Sequence, residues 1–226
     1  MTVWCFSLRI YAVDATDYKI LGSCSTALSD DENRTKNIEL ALNKIHRRVI
    51  HPGETFSFNR AVGRTTPGRG FLPAPVLFQD KKSIQIGGGV CQVSSTLYNA
   101  VLLSDLKVVE RYRHSSPISY LPLGLDATVA YGYRDMKFIN TLPFSVRILT
   151  QTQEDAITVT ITGEKGLPYE VRLETLVREI ESPFSQQLSQ PGKEVLRYRI
   201  KTQSGRVIER EYLGKDYYHP TMEQNR

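Results

Sequence analysis

Hydrophobic positions along this chain recur with two periods, one typical of strands and one typical of helices. Between residues 6 and 28, apolar and polar side chains alternate with β-branched content, which predicts one or two strands. Four apolar residues then recur at helical spacing: Ile38, Ala41, Leu42 and Ile45. Acidic residues at 30–32 precede them and Arg47 and Arg48 follow, so we predict an amphipathic helix over about 32–47.

A second helix is predicted over about 91–104, opened by the triple-glycine turn at 87–89. Its inward face is expected to contain Val93, Leu97, Ala100 and Val101. Between the two helices the pattern predicts short strands at 55–59 and 76–78, a loop at 63–75 and a turn at 80–82.

From residue 107 onward the alternation returns to the strand period. The predicted strands are 107–112, 127–133, 136–139, 144–150 and 156–162, and, after a boundary at 163–168, strands 194–201 and 206–213. The pattern therefore predicts an α+β fold in which a central antiparallel or mixed sheet carries the two main helices. A small all-β C-terminal module follows this domain.

The composition indicates a folded chain with a mild basic excess. Of the 226 residues, 40% are hydrophobic and 23% are charged, and the net charge is +5. The basic residues are scattered and form no stripe interleaved with aromatic side chains, so we predict no nucleic-acid binding.

Cysteine usage argues against a disulfide scaffold and against a structural metal site. Three cysteines cannot all pair within one chain, and no CxxC or zinc-like Cys/His spacing occurs. At most Cys5 pairs with Cys24, which leaves Cys91 as a thiol. We predict neither a bound metal nor a cofactor.

The run 87–100 carries the strongest chemical signal in the sequence. Three glycines permit close backbone approach and positive φ angles, and Cys91 follows them at the first turn of the predicted helix. Unpaired N–H groups and the positive end of the helix dipole favour thiolate over thiol at that position. The N–H groups of Cys91 and Gln92, or the Gln92 side-chain amide, are candidate oxyanion donors. Further candidate oxyanion or substrate-binding residues lie in the same run: Gly88, Gly89, Ser94 and Ser95.

A thiolate nucleophile needs a base that also protonates the leaving group, and histidine is the obvious candidate. Of the four histidines, His114 follows the Cys91 helix and a predicted strand, and Asp126 begins the next strand. We therefore predict a Cys91–His114–Asp126 arrangement. Its chain order and layout are those of papain-like and transglutaminase-like folds, an analogy of arrangement only.

The same residues also have a purely structural interpretation. A cysteine at a helix start is more often a small buried apolar residue than a nucleophile, and triple glycine can serve only tight helix–strand packing. The sequence leaves both interpretations of Cys91 open.

Several segments together resemble the VanW family, which is named from glycopeptide-resistance gene clusters. The matching segments are 52–59, 62–63, 70–71, 74–76, 87–103, 109–111, 114–115, 124 and 126–132. The resemblance divides the chain into an N-terminal strand segment at 1–20, a VanW-like domain at 21–165 and a β module at 168–222. It implies a bacterial cell-envelope setting and an association with glycopeptide resistance.

The C-terminal stretch resembles a degenerate five-glycine (G-five) domain, an all-β module proposed to bind amino-sugars of the cell wall. The matching features are 174–181, the turn at 190–192 and 204–207. This resemblance implies peptidoglycan or another wall polymer as a partner.

Two hypotheses follow. The first is a thiol enzyme, a cysteine hydrolase or transferase acting on amide bonds of peptidoglycan peptides, with Cys91 as nucleophile, His114 as base and Asp126 orienting the base. The second is a non-catalytic peptidoglycan- or glycan-binding or scaffold protein in which the run 87–100 forms a groove. No apolar stretch approaches the roughly 18–20 residues of a membrane span, and Arg9 interrupts the apolar start, so neither a transmembrane segment nor a signal peptide is predicted.

Overall fold

The computed structural model describes residues 18–78, 81–180 and 188–222 of the chain. Its helices are α1 (Glu32–Ile45), α2 (Phe58–Val62) and α3 (Val90–Leu103). Its strands in chain order are β1 (Lys19–Ala27), β2 (Val49–Ile50), β3 (Thr55–Ser57), β4 (Pro73–Phe78), β5 (Lys81–Ile86), β6 (Lys107–Glu110), β7 (Lys137–Ile139), β8 (Val146–Thr152), β9 (Ala156–Gly163), β10 (Glu170–Ile180), β11 (Leu188–Gln190), β12 (Gly192–Gln203), β13 (Arg206–Tyr218) and β14 (Thr221–Met222).

The strands form several separate sheets, and all pairings among the described strands are antiparallel. A four-stranded sheet has the order β1-β9-β8-β2, and a three-stranded sheet has the order β3-β7-β6. The C-terminal sheet has the order β10-β12-β13, and two pairs, β4-β5 and β11-β14, complete the set. The predicted α+β fold with an all-β C-terminal module is confirmed.

Helix α1 follows directly from its sequence pattern. Asp31 caps it by accepting a hydrogen bond from the Arg34 backbone N–H at 2.7 Å. Its buried side chains are Asn37, Ile38, Ala41, Leu42 and Ile45. The helix ends at Ile45 rather than at residue 47, with the His46 backbone N–H bonded to the Leu42 carbonyl.

Helix α3 lies at the centre of the core, where it contacts β1, β9, β6, β10 and α1. Every residue from 92 to 102 is buried, including the four predicted inward residues. The helix begins at Val90 and ends at Leu103, one residue earlier at each end than predicted. The run 87–100 is therefore mainly a core helix. The prediction that the whole run 87–100 forms a groove, which belonged to the second hypothesis, is wrong because residues 92–100 are buried.

The predicted strand at 127–133 does not form, although isolated bridges join Tyr112 to Thr128 and Ala130 to Arg134. Side chains of α3 satisfy the backbone here instead. Ser95 accepts a hydrogen bond from the Ala127 N–H at 2.9 Å, and Ser94 donates one to the Ala127 carbonyl at 2.6 Å. Because these serine hydroxyls take the place of a neighbouring strand as hydrogen-bond partners, residues 127–133 do not form a strand despite their alternating pattern.

Two shorter predictions were also wrong in part. The strand predicted at 55–59 ends at Ser57, because the Ser57 hydroxyl accepts from the Arg60 backbone N–H and thereby caps α2. The turn predicted at 80–82 is strand from Lys81 onward. Residues 1–17, which include Cys5 and most of the predicted N-terminal strand segment, lie outside the described residues.

The C-terminal sheet packs a charged face against the rest of the molecule. On β12, Val195, Arg197 and Arg199 are buried, and on β13 Asp216 and Tyr218 are buried. These positions alternate with more exposed ones, as the two-residue period of a strand requires. The described helices are all too short or too polar to cross a bilayer.

Candidate active site

The N-terminus of α3 has no side-chain cap, and its N-cap residue is Gly89 in the left-handed conformation (φ +106°). A Cβ at Gly89 would lie 2.9 Å from Cγ1 of Ile38 on α1, so only glycine allows the two helices to approach this closely. Cys91 occupies the second position of the helix. Its sulfur therefore lies at the positive end of the helix dipole.

Within the described part of the chain, the backbone N–H groups of Gly89 and Cys91 are both open donors at this end of the helix. The Val90 N–H bonds the Gly87 carbonyl and the Gln92 N–H bonds the Gly89 carbonyl. Among the described residues, the Cys91 N–H has no backbone or side-chain acceptor. It is the free donor that an oxyanion next to the sulfur would need.

Three contacts hold the sulfur of Cys91, a residue of intermediate exposure. The Val129 backbone N–H donates to Sγ at 3.5 Å, and the Val129 carbonyl and the Thr128 hydroxyl each lie 3.5 Å from Sγ. These groups belong to the segment that the serines of α3 hold in place. The sulfur is thus fixed between the helix and that segment.

The structure brings the three predicted triad residues together. His114 Nδ1 lies 2.6 Å from Asp126 Oδ2, and the His114 backbone N–H donates to the same oxygen at 2.6 Å. The imidazole also interacts with the Cys91 thiol closely enough to lower the pKa of the thiol and to raise its own pKa. With 13% of the His114 side chain and 2% of the Asp126 side chain exposed, the pair is largely shielded from water.

The pKa values of the pair are displaced toward an ion pair. Burial alone raises the pKa of the Cys91 thiol. The interaction with His114, its charge, and the hydrogen bonds of Val129 and Thr128 outweigh burial and lower the pKa. Burial opposes protonation of His114, whereas Asp126 and Cys91 favour it and raise its pKa to about 9. At neutral pH this arrangement favours a thiolate beside an imidazolium.

Arg111 fixes the Asp126 carboxylate, a role that the sequence did not reveal. Its guanidinium donates to Asp126 Oδ1 at 2.9 Å and to the Asp126 carbonyl at 2.6 Å. Burial raises the pKa of Asp126, but the His114 hydrogen bond and the Arg111 charge lower it overall, so the carboxylate stays ionised. In the sequence, Arg111 was only one of many scattered basic residues.

Tyr120 is a second residue that the sequence did not single out. It lies in the loop between His114 and Asp126 and is half-buried. Burial and the negative charge of Cys91 raise its pKa, so the phenol remains a protonated donor near the sulfur. No spacing or pattern marked this tyrosine.

The other predicted site residues are engaged in structural contacts. The Gln92 amide donates to the Ala27 carbonyl at 2.7 Å and to Thr26, and its oxygen accepts from Arg34. A Cβ at Gly88 would lie 2.6 Å from the Ala74 carbonyl oxygen, so this glycine permits close packing against β4. With Ser94 and Ser95 bonded to Ala127, the Cys91 N–H is the best-placed oxyanion donor of the predicted set.

A polar cleft of about 560 Å³ lies beside the segment that follows Val129. Its walls include three arginines and two exposed tyrosines: Arg60, Arg69, Arg134, Tyr131 and Tyr133. The carboxylate of Asp135 accepts from Ser57 and from two backbone N–H groups, and Glu110 pairs with Lys137 at 2.7 Å. Both acids are thus internally satisfied, which leaves a positive surface.

The structure is that of an α+β domain with a Cys–His–Asp cluster at the N-terminus of a buried helix. A family model described as VanW like protein matches residues 33–162, more than half of the chain. The chain therefore belongs to the VanW family. This match leaves the C-terminal sheet outside it.

Two relatives extend the comparison. The chain is 45% identical over 112 residues to the uncharacterized protein YoaR of Bacillus subtilis (strain 168), a match covering 50% of this chain and 37% of YoaR. It is 29% identical over 139 residues to the vancomycin B-type resistance protein VanW of Enterococcus faecalis (strain ATCC 700802 / V583), covering 59% of this chain and 50% of that protein. The matches thus span half or less of each relative. No solved structure matches the chain.

Proposed function

We propose that this protein is a thiol enzyme that cleaves or exchanges amide bonds in bacterial cell-wall peptides, in a setting associated with glycopeptide resistance. The observation that carries the proposal is the buried 2.6 Å contact between His114 and Asp126, beside a partly exposed Cys91 that shifts the pKa of the imidazole. The association with glycopeptide resistance is supported by the name of the Enterococcus relative, a vancomycin B-type resistance protein.

The proposed reaction proceeds through a thioester. The Cys91 thiolate attacks the amide carbonyl carbon, and the carbonyl π electrons move to oxygen, which the Cys91 N–H stabilises. Collapse of this intermediate breaks the C–N bond, and the His114 imidazolium protonates the departing amine. A water molecule or a second amine then attacks the thioester as His114 removes its proton. The acyl group leaves as a carboxylic acid or a new amide, and the thiolate is restored.

The chemical test is turnover of a synthetic wall peptide, followed by mass spectrometry. Cys91→Ala is expected to abolish turnover, whereas Cys24→Ala, a matched removal of a thiol on β1, is expected to retain it. Full turnover by the Cys91→Ala protein rules out the enzyme proposal.

A test that needs no substrate is the pH dependence of iodoacetamide labelling. Cys91 is alone among the cysteines in the tryptic peptide 83–107, so its labelling can be followed by mass spectrometry. Labelling is expected to begin well below the ordinary thiol pKa and to change again near pH 9 as His114 deprotonates. His114→Gln is expected to move the onset upward, because burial then acts without the imidazolium. An onset near 8.5 that is the same in both proteins would count against the pair.

A second candidate function is non-catalytic binding of an acidic wall polymer, and the arginine–tyrosine cleft favours it. Arginines can pair with carboxylates while tyrosine rings stack on sugar faces. The probe pair is N-acetylmuramic acid and N-acetylglucosamine, which differ by one carboxylate-bearing group. Binding of the acidic sugar alone, weakened by Arg134→Gln and unaffected by Cys91→Ser, would support this function. Failure of the protein to bind either sugar or purified peptidoglycan would rule out this binding function.

A further inference from the structure

The C-terminal sheet reaches the Asp126 carboxylate directly. On β13, Asp216 and Tyr218 are buried on the inner face, and Tyr217 between them is exposed. The Tyr218 hydroxyl donates to Asp126 Oδ1 at 3.3 Å and accepts from the Gly124 N–H at 3.2 Å. A strand more than 90 residues away in sequence therefore touches the acid that orients His114.

The donors to Asp126 come from both parts of the molecule. Oδ2 accepts the His114 N–H and faces its Nδ1, while Oδ1 accepts from Arg111 at 2.9 Å and from Tyr218. A carboxylate has about four acceptor positions, and these contacts occupy them all. The rotation of the carboxylate is thereby fixed, with one of the four contacts supplied by β13.

Asp216 balances the charge of Arg111, the arginine that pairs with Asp126. Both Asp216 oxygens lie 2.7 Å from Arg111 Nη1, and Oδ2 lies 3.4 Å from Arg197 Nε. Arg197 in turn donates to the Tyr98 hydroxyl of α3 at 2.7 Å. Two buried arginines thus face two buried aspartates, so the loss of one charge changes the electrostatic potential at the thiol.

We infer that Tyr218 and Asp216 are positioning residues of the Cys91 centre, and that the C-terminal sheet completes this centre rather than acting only as a separate binding module. The inference deepens the proposed enzyme function and rests on it for its biological meaning. The polar and charged groups around the Cys91–His114–Asp126 set include Arg34, Tyr98, Arg111, Arg113, Tyr120, Thr128, Arg197, Asp216 and Tyr218. The Arg113 guanidinium lies 5.0 Å from the centre of the Tyr218 ring.

Two substitutions are expected to act in opposite directions. Tyr218→Phe removes a donor from Asp126, makes the site more negative and moves thiolate formation to higher pH. Asp216→Asn leaves Arg111 incompletely neutralised, makes the site more positive and moves thiolate formation to lower pH. A contact that served stability alone would lower the unfolding temperature without producing shifts of opposite sign.

The experiment measures iodoacetamide labelling of Cys91 against pH in the full chain, with Tyr217→Phe as the matched control on the exposed face of the same strand. We expect Tyr218→Phe to raise the labelling midpoint by roughly half a pH unit and Asp216→Asn to lower it by roughly half to one unit. Tyr217→Phe should coincide with the unmodified protein. Coincidence of folded Tyr218→Phe with this control, or shifts of the same sign, would overturn the inference.

Circular dichroism establishes first that each variant is folded. If Asp216→Asn does not fold, the comparison of Tyr218→Phe with Tyr217→Phe decides alone. Labelling requires no wall substrate, so the two proposals fail separately. Turnover retained by Cys91→Ala removes the enzyme function and leaves the coupling measurable, whereas an unmoved labelling profile removes the coupling and leaves the enzyme function.

Discussion

Two buried ion clusters join the C-terminal sheet to the rest of the molecule, and they differ in the kind of group they hold. The Asp126 cluster consists of Asp126, His114, Arg111, Asp216 and Arg197, with Cys91 at its edge. The Asp105 cluster, just past the end of α3, consists of Asp105, Arg199, Lys201, Tyr169, Glu209 and Glu211.

The Asp105 cluster has a mechanical role at the helix end. Arg199 donates to the carbonyl of Leu102, in the last turn of α3, and to the carbonyl of Leu106 just beyond the helix. Burial lowers the pKa of Lys201 and raises that of Tyr169. Contact with Asp105 raises the pKa of both groups, and the net pKa of each is raised, so neither changes protonation near neutral pH. The Asp126 cluster instead contains a thiol and an imidazole whose pKa values move toward each other. Two similar clusters of buried ion pairs thus differ in role: the Asp126 cluster shifts the pKa values of a thiol and an imidazole, and the Asp105 cluster holds the C-terminal sheet against the end of α3.

The largest effect should follow Asp126→Asn. The substitution leaves Arg111 and His114 without their shared carboxylate, and removal of one partner from a buried ion pair costs about 3–5 kcal/mol. The His114 pKa is expected to fall from about 9. Urea unfolding gives the stability, and iodoacetamide labelling gives the state of the thiol. If the Asp126→Asn protein were as stable as the unmodified protein and labelled in the same way, the Asp126 cluster would not control the thiol and would not differ from the Asp105 cluster in this respect.

Asp105→Asn should destabilise the protein by a smaller amount, about 2–3 kcal/mol, because this cluster has more contact with solvent. Its labelling profile is expected to match that of the unmodified protein. Urea unfolding and labelling are measured on the same preparation. A shifted profile would mean that the helix end also controls the thiol.

Local patterns predicted the helices well and the site contacts only in part. Helix α1 and helix α3 were located to within two residues because apolar periodicity is a property of neighbouring positions. Cys91, His114 and Asp126 could be chosen by residue type and chain order. Their common location was an analogy until the structure brought them together.

The supporting residues left no comparable signal in the sequence. Arg111 meets Asp216 across 105 positions, and Tyr218 meets Asp126 across 92. Such pairs depend on how β13 packs against the main domain, and neither hydrophobic period encodes that packing. The predicted strand at 127–133 failed for a related reason: serines and a thiol from α3, rather than a strand, satisfy its backbone.

The pH dependence of stability should separate the clusters by a moderate effect. His114 has a raised pKa, so its stabilisation is complete below about 6.5 and is lost as the pH rises through about 9. Cys91 has a lowered pKa, so its stabilisation is complete above the ordinary thiol pKa and is lost as the pH falls through the folded value. Between about pH 7 and 9 the two changes oppose each other, and the stability should be nearly constant.

Cys91→Ser removes one of these opposing contributions. Its stability should therefore fall by roughly 1–2 kcal/mol as the pH rises across the same range. Asp105→Asn removes no contact of Cys91 or His114, so it should give a curve parallel to that of the unmodified protein. Urea midpoints at a series of pH values measure all three proteins. Parallel curves for Cys91→Ser and the unmodified protein would show that the thiol and imidazole are not coupled.

The smallest effect should come from the rim of the Asp105 cluster. Glu209 pairs with Lys201 at 3.1 Å, but half of its side chain is exposed, so solvent screens the interaction. Glu209→Gln is expected to cost about 0–1 kcal/mol in urea unfolding, a cost that decreases with added salt, and to leave labelling unchanged. A loss as large as that of Asp105→Asn would show that the number of ion pairs, rather than their burial, determines how firmly the sheet is held.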